Sequence, residues 1–540
     1  MDEVESATTV FSGGPVWLGP GRRTSAVAVR EGRLVALGDE ALALARYAAE
    51  TVDLEGGLLL PAYSDGHCHP VQAGVELAGP AVLGVGSVAE VVAAVGAYAA
   101  AHRESGWIQG GGYDPALAPG GAFDARWLDA AVSDRPVLLR ATDHHTVWCN
   151  TRALELAGID AHTPEPAGGM IDRRPDGSPL GTLREPAGYG PVEDLAPPPT
   201  RAELVHALAT ASAAQAAVGV TWMQDAWVEE DGHVPYLRLL AAGGLSVRAN
   251  LAFLIRPGSW RDQTTTLLAQ RAEVEAAGAP RLLTARSVKF FADGVIESAT
   301  AEMLAPYVDT HTHGIPIWEP DDLAAAVAHV DALGFQTHVH AIGDAAVRHA
   351  LDAIEHAIAV NPAWDRRPVI THVQLVDPAD LPRFARLGVT ACLQTYWAQR
   401  DPLMELLTAP RLGPERTDRQ YPVATLAALG TRLSLASDWP VSTNDPLEAI
   451  VVAATRQTAD GEPAGGWVPA ERLPLEEGLA AATAGGAYQG WTDTYRGALV
   501  VGAEADLVWY DRDLTALPPL AARGAVVRGT WLAGVPSYTA

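Results

Sequence analysis

Short apolar runs rich in β-branched residues recur along the middle of this 540-residue chain, with Ala- and Leu-rich stretches of helical spacing between them. No other feature restricts the fold as much, because strand and helix alternating in this way is the pattern of parallel α/β proteins. Eight runs can be placed: Leu58–Leu60 continuing to Asp65, Val218–Gln224, Leu245–Phe253, Ser287–Phe291, Gln336–His340, Val369–Val373, Val389–Gln394 and Arg432–Ala436. Helical stretches such as Asp321–Leu333 and Asp344–Ala359 separate them. Eight alternations predict an α/β fold of the TIM (β/α)8 barrel type.

A barrel needs about 250 residues, so this chain must carry more. The first sixty residues read as short strands, with Ala26–Arg30 and Arg33–Leu37 joined through the turn Glu31-Gly32. The last fifty are similar, with strands at Ala505–Tyr510, Ala525–Arg528 and Thr530–Leu532. Chain ends usually lie close together. We therefore expect one small β-sandwich domain formed by both termini, residues 1–57 and 493–540, around a barrel at 58–492. The first and second barrel strands lie about 150 residues apart, far more than one crossover helix requires. Val71 to Thr200 is read as that helix plus an insertion spanning about residues 100–200. Gly169–Asp172 and Gly181–Leu183 read as a hairpin inside it, and Leu195–Pro199 as its exit linker.

Charge and cysteine usage exclude several classes. The net charge of −27 repels nucleic acid and anionic membranes, which leaves a small-molecule substrate as the expected partner. Three cysteines, Cys68, Cys149 and Cys392, do not make a disulfide framework. The start MDEVESATT lacks the apolar core of a secretory signal. No stretch is apolar for the roughly 18 residues of a membrane span. A cytoplasmic protein is expected.

The densest local signal is Asp65-Gly66-His67-Cys68-His69-Pro70, at the end of the first apolar run. Residues i and i+2 of an extended chain face the same side, so His67 and His69 can reach one metal. Barrel active sites lie at the C-terminal ends of the strands, where this motif falls. Other strands end in the same way. Thr337-His338-Val339-His340 precedes Ala341-Ile342-Gly343-Asp344, Val369–Thr371 runs into His372, and Ser434–Ser437 runs into Asp438. Lys289 lies inside the apolar run Ser287–Phe291, where an isolated cation is costly to bury. Each feature alone has an ordinary structural explanation. Their order along one barrel sets them apart.

These motifs resemble the amidohydrolase superfamily, and within it the amidohydrolase-3 branch of YtcJ-like proteins, which includes N-substituted formamide deformylases. The resemblance runs through DGHCHP, TDHHTVWCNTRALELAGI, VKFFADG with Thr300-Ala301, HVHAIGDAAV, THVQLV, ASDWPV with Asp445-Pro446-Leu447, and Gly502–Val508. It implies a metal-dependent hydrolase of a C–N amide bond in a small N-acyl or N-formyl amine. The same ligands would serve a cyclic amide, a lactone or a carbamate, and a non-catalytic barrel scaffold is a further alternative.

The resemblance implies two divalent metal ions, most often zinc. His67, His69 and Asp438 would hold the first, and His340 and His372 the second, with Lys289 bridging both as a carboxylated lysine. Asp438 would also be the catalytic base and then acid. His145, which matches the branch's usual histidine, would hydrogen-bond the substrate carbonyl. His144 stands where the branch usually has glycine. His338 is expected behind the ligands, and Asp344 is expected to orient nearby loops as the N-cap of the following helix. Trp107, Tyr113, Trp148, Trp222, Trp227, Tyr396, Trp397 and Trp439 fall near strand ends or in the insertion and suggest an aromatic pocket. Related barrels often dimerise, so a homodimer is the implied assembly.

Overall fold

The computed structural model describes residues 8–142, 144–166 and 169–540. By contact the chain divides into two compact units. The first is drawn from residues up to His69, from Ser212–Asp438 and from Thr443–Ala540. The second is Pro70–Ala211 with Trp439–Ser442.

The first unit contains the barrel. Its strands are β1 (Tyr63–Cys68), β2 (Val220–Val228), β3 (Arg248–Leu254), β4 (Leu283–Phe291), β5 (Gln336–Ala341), β6 (Val369–His372), β7 (Thr390–Leu393) and β8 (Arg432–Leu435). They form one all-parallel sheet in chain order from β1 to β8. The chain just beyond β8 returns to β1: the Asp438 N–H donates to the His67 carbonyl at 2.8 Å. The Asp65 carboxylate accepts the Ser437 N–H at 3.0 Å and the Ser437 hydroxyl at 2.5 Å. The fold is thus the expected TIM barrel. Closure is tight at Gly66, where a Cβ would lie 2.7 Å from Ser434 Oγ and 2.8 Å from Cys392 Sγ. Only glycine permits that approach.

Both termini build two further sheets in this unit. One orders Arg33–Leu37, Val27–Arg30, Thr8–Ser12 and Glu50–Asp53. The other orders Val535–Thr539, Val527–Leu532, Leu507–Tyr510, Leu58–Pro61, Val16–Gly19 and Arg22–Thr24. Phe11, Val27, Leu59, Leu507 and Trp531 share one core between them. Glu31 and Gly32 turn the expected hairpin with φ of 50° and 73°.

One sequence expectation needs correction here. Leu58–Leu60 does not begin the first barrel strand. It pairs with Leu507–Tyr510 and touches Val16 through Leu59, all in the terminal sheet. The chain changes sheets at Ala62, whose N–H donates to Asp506. Pro61 has no N–H to continue a ladder, yet an unbroken apolar run hid the break.

The second unit has a five-stranded sheet ordered Met170–Arg173, Pro179–Arg184, Thr146–Cys149, Val137–Ala141 and Ile108–Tyr113. Its first two strands are the hairpin read from the sequence. Tyr113, Trp148 and Phe123 pack together in its core. Tyr113 and Trp148 are therefore packing residues, not pocket walls.

Candidate metal centre

The strand ends of the barrel converge on histidines. His67, in β1, is fully buried, as is every residue of that strand. One residue past the end of β1, His69 is on the same side. The Asp438 backbone N–H, bonded to His67, brings its carboxylate to both: Oδ1 lies 3.2 Å from His67 Nε2 and 3.0 Å from His69 Nε2. Candidate ligand atoms of these three residues all lie within 4.8 Å of one another.

The other expected residues gather around them. Lys289, in β4, is fully buried with Nζ 3.3 Å from His67 Nε2 and 4.3 Å above the Phe291 ring. His340 and His372 bring their rings to 4.4 Å, and His372 is 5.1 Å from His67. The Nε2 atom of His340 sits 3.2 Å from the Gly294 carbonyl. His372, Val373 and Asp438 have φ of 74°, 48° and 55°. Left-handed backbone is strained for such residues, and strain of this kind collects at functional sites.

Electrostatics favour ligands over charges. Burial pushes His67, His338 and His372 well below the usual imidazole range, which favours the neutral ring that metal ligation demands of His67 and His372. Burial also pushes Lys289 down to about 7, with Asp438 opposing. Burial would raise Asp438, but the His69 hydrogen bond and the charges around it bring its carboxyl down to about 2. The Nδ1 atoms of His69 and His372 are buried without a hydrogen-bond partner. Neutral nitrogens, a carboxylate and orphaned ring atoms fit a metal ion of the zinc class.

Around the ligands lie residues whose roles the sequence did not disclose. Asp65 accepts from Ser437 and also from Gln215 Nε2 at 3.0 Å, which holds β1 against the segment carrying Asp438. Asp293 accepts the N–H groups of Gly343, Glu302 and Ile342 at 2.8, 2.9 and 3.1 Å. Asp344 does not cap the following helix. Gly343 occupies that position, and Asp344 Oδ1 accepts from the Leu304 N–H at 2.8 Å. These carboxylates stand in the motifs DGHCHP, VKFFADG and HVHAIGDAAV, but the motifs do not show which N–H groups they meet. Trp227 lies 6.0 Å from His69 and 5.0 Å from Phe291, and Trp397 stacks on His372 at 5.8 Å. Trp222 is at the other end of β2. It lines a cavity of about 170 Å³ with Arg248, Arg281, Arg286, Trp491 and Tyr495.

His145 belongs to the second unit, where its Nδ1 lies 3.0 Å from Glu185 Oε2. His144 in that unit has φ 57° and contacts Gln72 at 2.6 Å. That backbone conformation favours glycine.

Imidazoles and a carboxylate at the strand ends of a parallel barrel are the frame of a metal-dependent hydrolase. The chain belongs to the amidohydrolase family, whose Amidohydro_3 model matches residues 50–538. It is 30% identical over 504 residues to Protein LONG AFTER FAR-RED 3 of Arabidopsis thaliana, covering 89% of this chain and 83% of that protein. It is 26% identical over 535 residues to the N-substituted formamide deformylase of Arthrobacter pascens, covering 95% and 94%. An uncharacterized metal-dependent hydrolase from Pyrococcus furiosus superposes with a TM-score of 0.72 at 25% identity, covering 94% of this chain and 100% of that one. The resemblance read from the motifs is borne out.

Proposed function

We propose that this chain hydrolyses the C–N bond of a small N-acyl or N-formyl amine at the strand-end centre. The observation that carries the reading is the convergence of His67, His69 and Asp438 beside a buried, weakly basic Lys289. His67, His69 and Asp438 would hold one divalent ion and His340 and His372 a second, zinc being the ion that this donor set suits. Lys289 would bridge them as a carbamate: its neutral amine adds to the carbon of carbon dioxide and loses one proton. Bound metal supplies Lewis acidity and brings the pKa of water toward about 7.

The protein's own groups do the rest. Asp438, ionised above about 2, takes the proton of the attacking water and passes it to the departing amine. From the resemblance, His145 would donate to the substrate carbonyl oxygen as negative charge grows there. Trp227, Phe291 and Trp397 form an apolar wall for the acyl or amine substituent. The name of the Arthrobacter pascens relative favours an N-formyl amine.

Purified, metal-loaded protein screened against N-acyl and N-formyl amines, cyclic amides, lactones and carbamates tests this. Release of amine from the first group is expected. Turnover confined to the cyclic or ester substrates would replace the reading, and no bound metal with no turnover would point to a scaffold. The proposal includes a homodimer in the cytoplasm that binds neither nucleic acid nor membrane. Light scattering and cell fractionation check those parts. Among the described residues, no helix is long and apolar enough to cross a membrane.

A further inference from the structure

The cavity of about 170 Å³ that Trp222 lines lies at the starts of β2, β3 and β4, the strand ends opposite the metal centre. Its charged lining is three guanidiniums, those of Arg248, Arg281 and Arg286, and among the described residues no carboxylate lines it. On a chain of net charge −27, a wall of one positive sign is not what composition supplies. Aromatic rings complete the frame. The Arg281 guanidinium sits 3.7 Å from the centre of the Tyr495 ring, and that of Arg286 5.6 Å from the Trp491 ring, contacts that hold each cation by the face of an aromatic. At Gly490 a Cβ would come within 2.4 Å of the Trp222 ring, so glycine admits the indole to the wall.

Here guanidiniums outnumber their partners. Among the described residues, Arg33, Arg248, Arg281 and Arg496 share only two carboxylates, Glu504 and Asp506. Arg248 is fully engaged: its Nη2 donates to Asp506 and Glu504, each at 2.7 Å, its Nε to Asp506 at 3.2 Å and its Nη1 to the Arg281 carbonyl at 3.0 Å. Arg281 has a 3.5 Å contact with Glu504 and is half exposed. Arg286, exposed on β4, has no ion pair among the described residues. Solvation alone would account for one such arginine, but not for two beside a cavity walled by indoles.

We propose that this cavity is a second ligand site, separate from the metal centre, and that it binds a small organic anion: a carboxylate on an aromatic body. The two carboxylate oxygens match the forked N–H groups of Arg281 and Arg286. The ring is covered by Trp222 and Trp491. Inorganic phosphate shares the charge but leaves the indole surface wet, so the aromatic carboxylate is the better fit. The site stands whether or not the chain hydrolyses an amide.

Calorimetry of the zinc-loaded full chain with benzoate, acetate, inorganic phosphate and benzyl alcohol tests this. Benzoate should bind about tenfold or more tightly than acetate or phosphate, because only it buries a ring. Benzyl alcohol, which has the ring without the charge, should bind far more weakly. Arg286→Gln should weaken benzoate roughly 10- to 100-fold, and Arg281→Gln by a similar factor. Both side chains are exposed, so unfolding midpoints should change little. Arg286→Lys, which keeps the charge and loses the fork, should retain part of the affinity. Benzoate affinity unchanged in both glutamine variants would place the anion at the metal centre and overturn the proposal. Acetate or phosphate binding as tightly as benzoate overturns the aromatic preference, and no benzoate binding at millimolar concentration overturns the site.

Discussion

Lys289 is held where a cation is poorly tolerated, and this has measurable consequences. Its folded value of about 7 lies below the ordinary 10.5. Between those values the unfolded chain holds a proton that the folded chain lacks, so stability of the metal-free protein rises with pH across that window. The gain is on the order of 5 kcal/mol at most. Urea midpoints from pH 7 to 10 should therefore climb in wild type relative to Lys289→Met. Lys289→Ala should lose metal and activity together, with short carboxylic acids restoring part of both; full metal content in that variant would end the bridging role. Asp438→Asn should retain some metal by elemental analysis while turnover falls about 10²- to 10⁴-fold. His67, His69, His340, His372, Lys289 and Asp438 were legible because a two-residue period and a strand end give a side chain both direction and place. The contacts of Asp65 and Asp293 were not, because one polar residue in an apolar run says nothing about which atoms it will meet. His338 and His340 share a face, so spacing alone could not tell which of them stands behind His67; it is His338, whose Nε2 lies 2.7 Å from His67 Nδ1.

At the scale of the element, β1 carries the most constraint. Its Gly66 faces Ser434 Oγ and Cys392 Sγ at distances no side chain can share. Gly66→Ala should cost about 1–3 kcal/mol in denaturant titration, since overpacking moves strands that hold ligands. It should also weaken metal binding, which a chelator titration would show. Seven of the eight barrel strands were readable from apolar runs of the right length. The first was misplaced because Leu58–Pro61 and Tyr63–Cys68 are two strands of different sheets, joined with no turn residue between them. The helix begins at Asp344 as read, but its N-cap is Gly343 and not Asp344. Asp344 is committed to the Leu304 loop, and Asp293 already satisfies the Ile342 and Gly343 N–H groups.

In the larger unit, a buried ion network joins the barrel to the terminal sheets. Arg248, in β3, meets Asp506 Oδ1 and Glu504 Oε2, each at 2.7 Å, and Arg496 Nε reaches Asp506 Oδ2 at 3.1 Å. Asp506→Ala would leave two buried guanidiniums short of a partner. A loss of about 3–5 kcal/mol is expected in chemical unfolding, and a change within 1 kcal/mol would show that the network is idle. None of this was visible in sequence, since Arg248 and Asp506 are remote in the chain and their pairing depends on the completed fold. Barrel closure has the same property. His69 and Asp438, which meet at 3.0 Å, are 369 residues apart in sequence. A ribosome adding about 5–20 residues per second delivers the second of them roughly 20–70 s after the first. Through that interval β1 waits with one edge open, and a newborn chain must keep that edge from pairing with its neighbours until the eighth strand arrives.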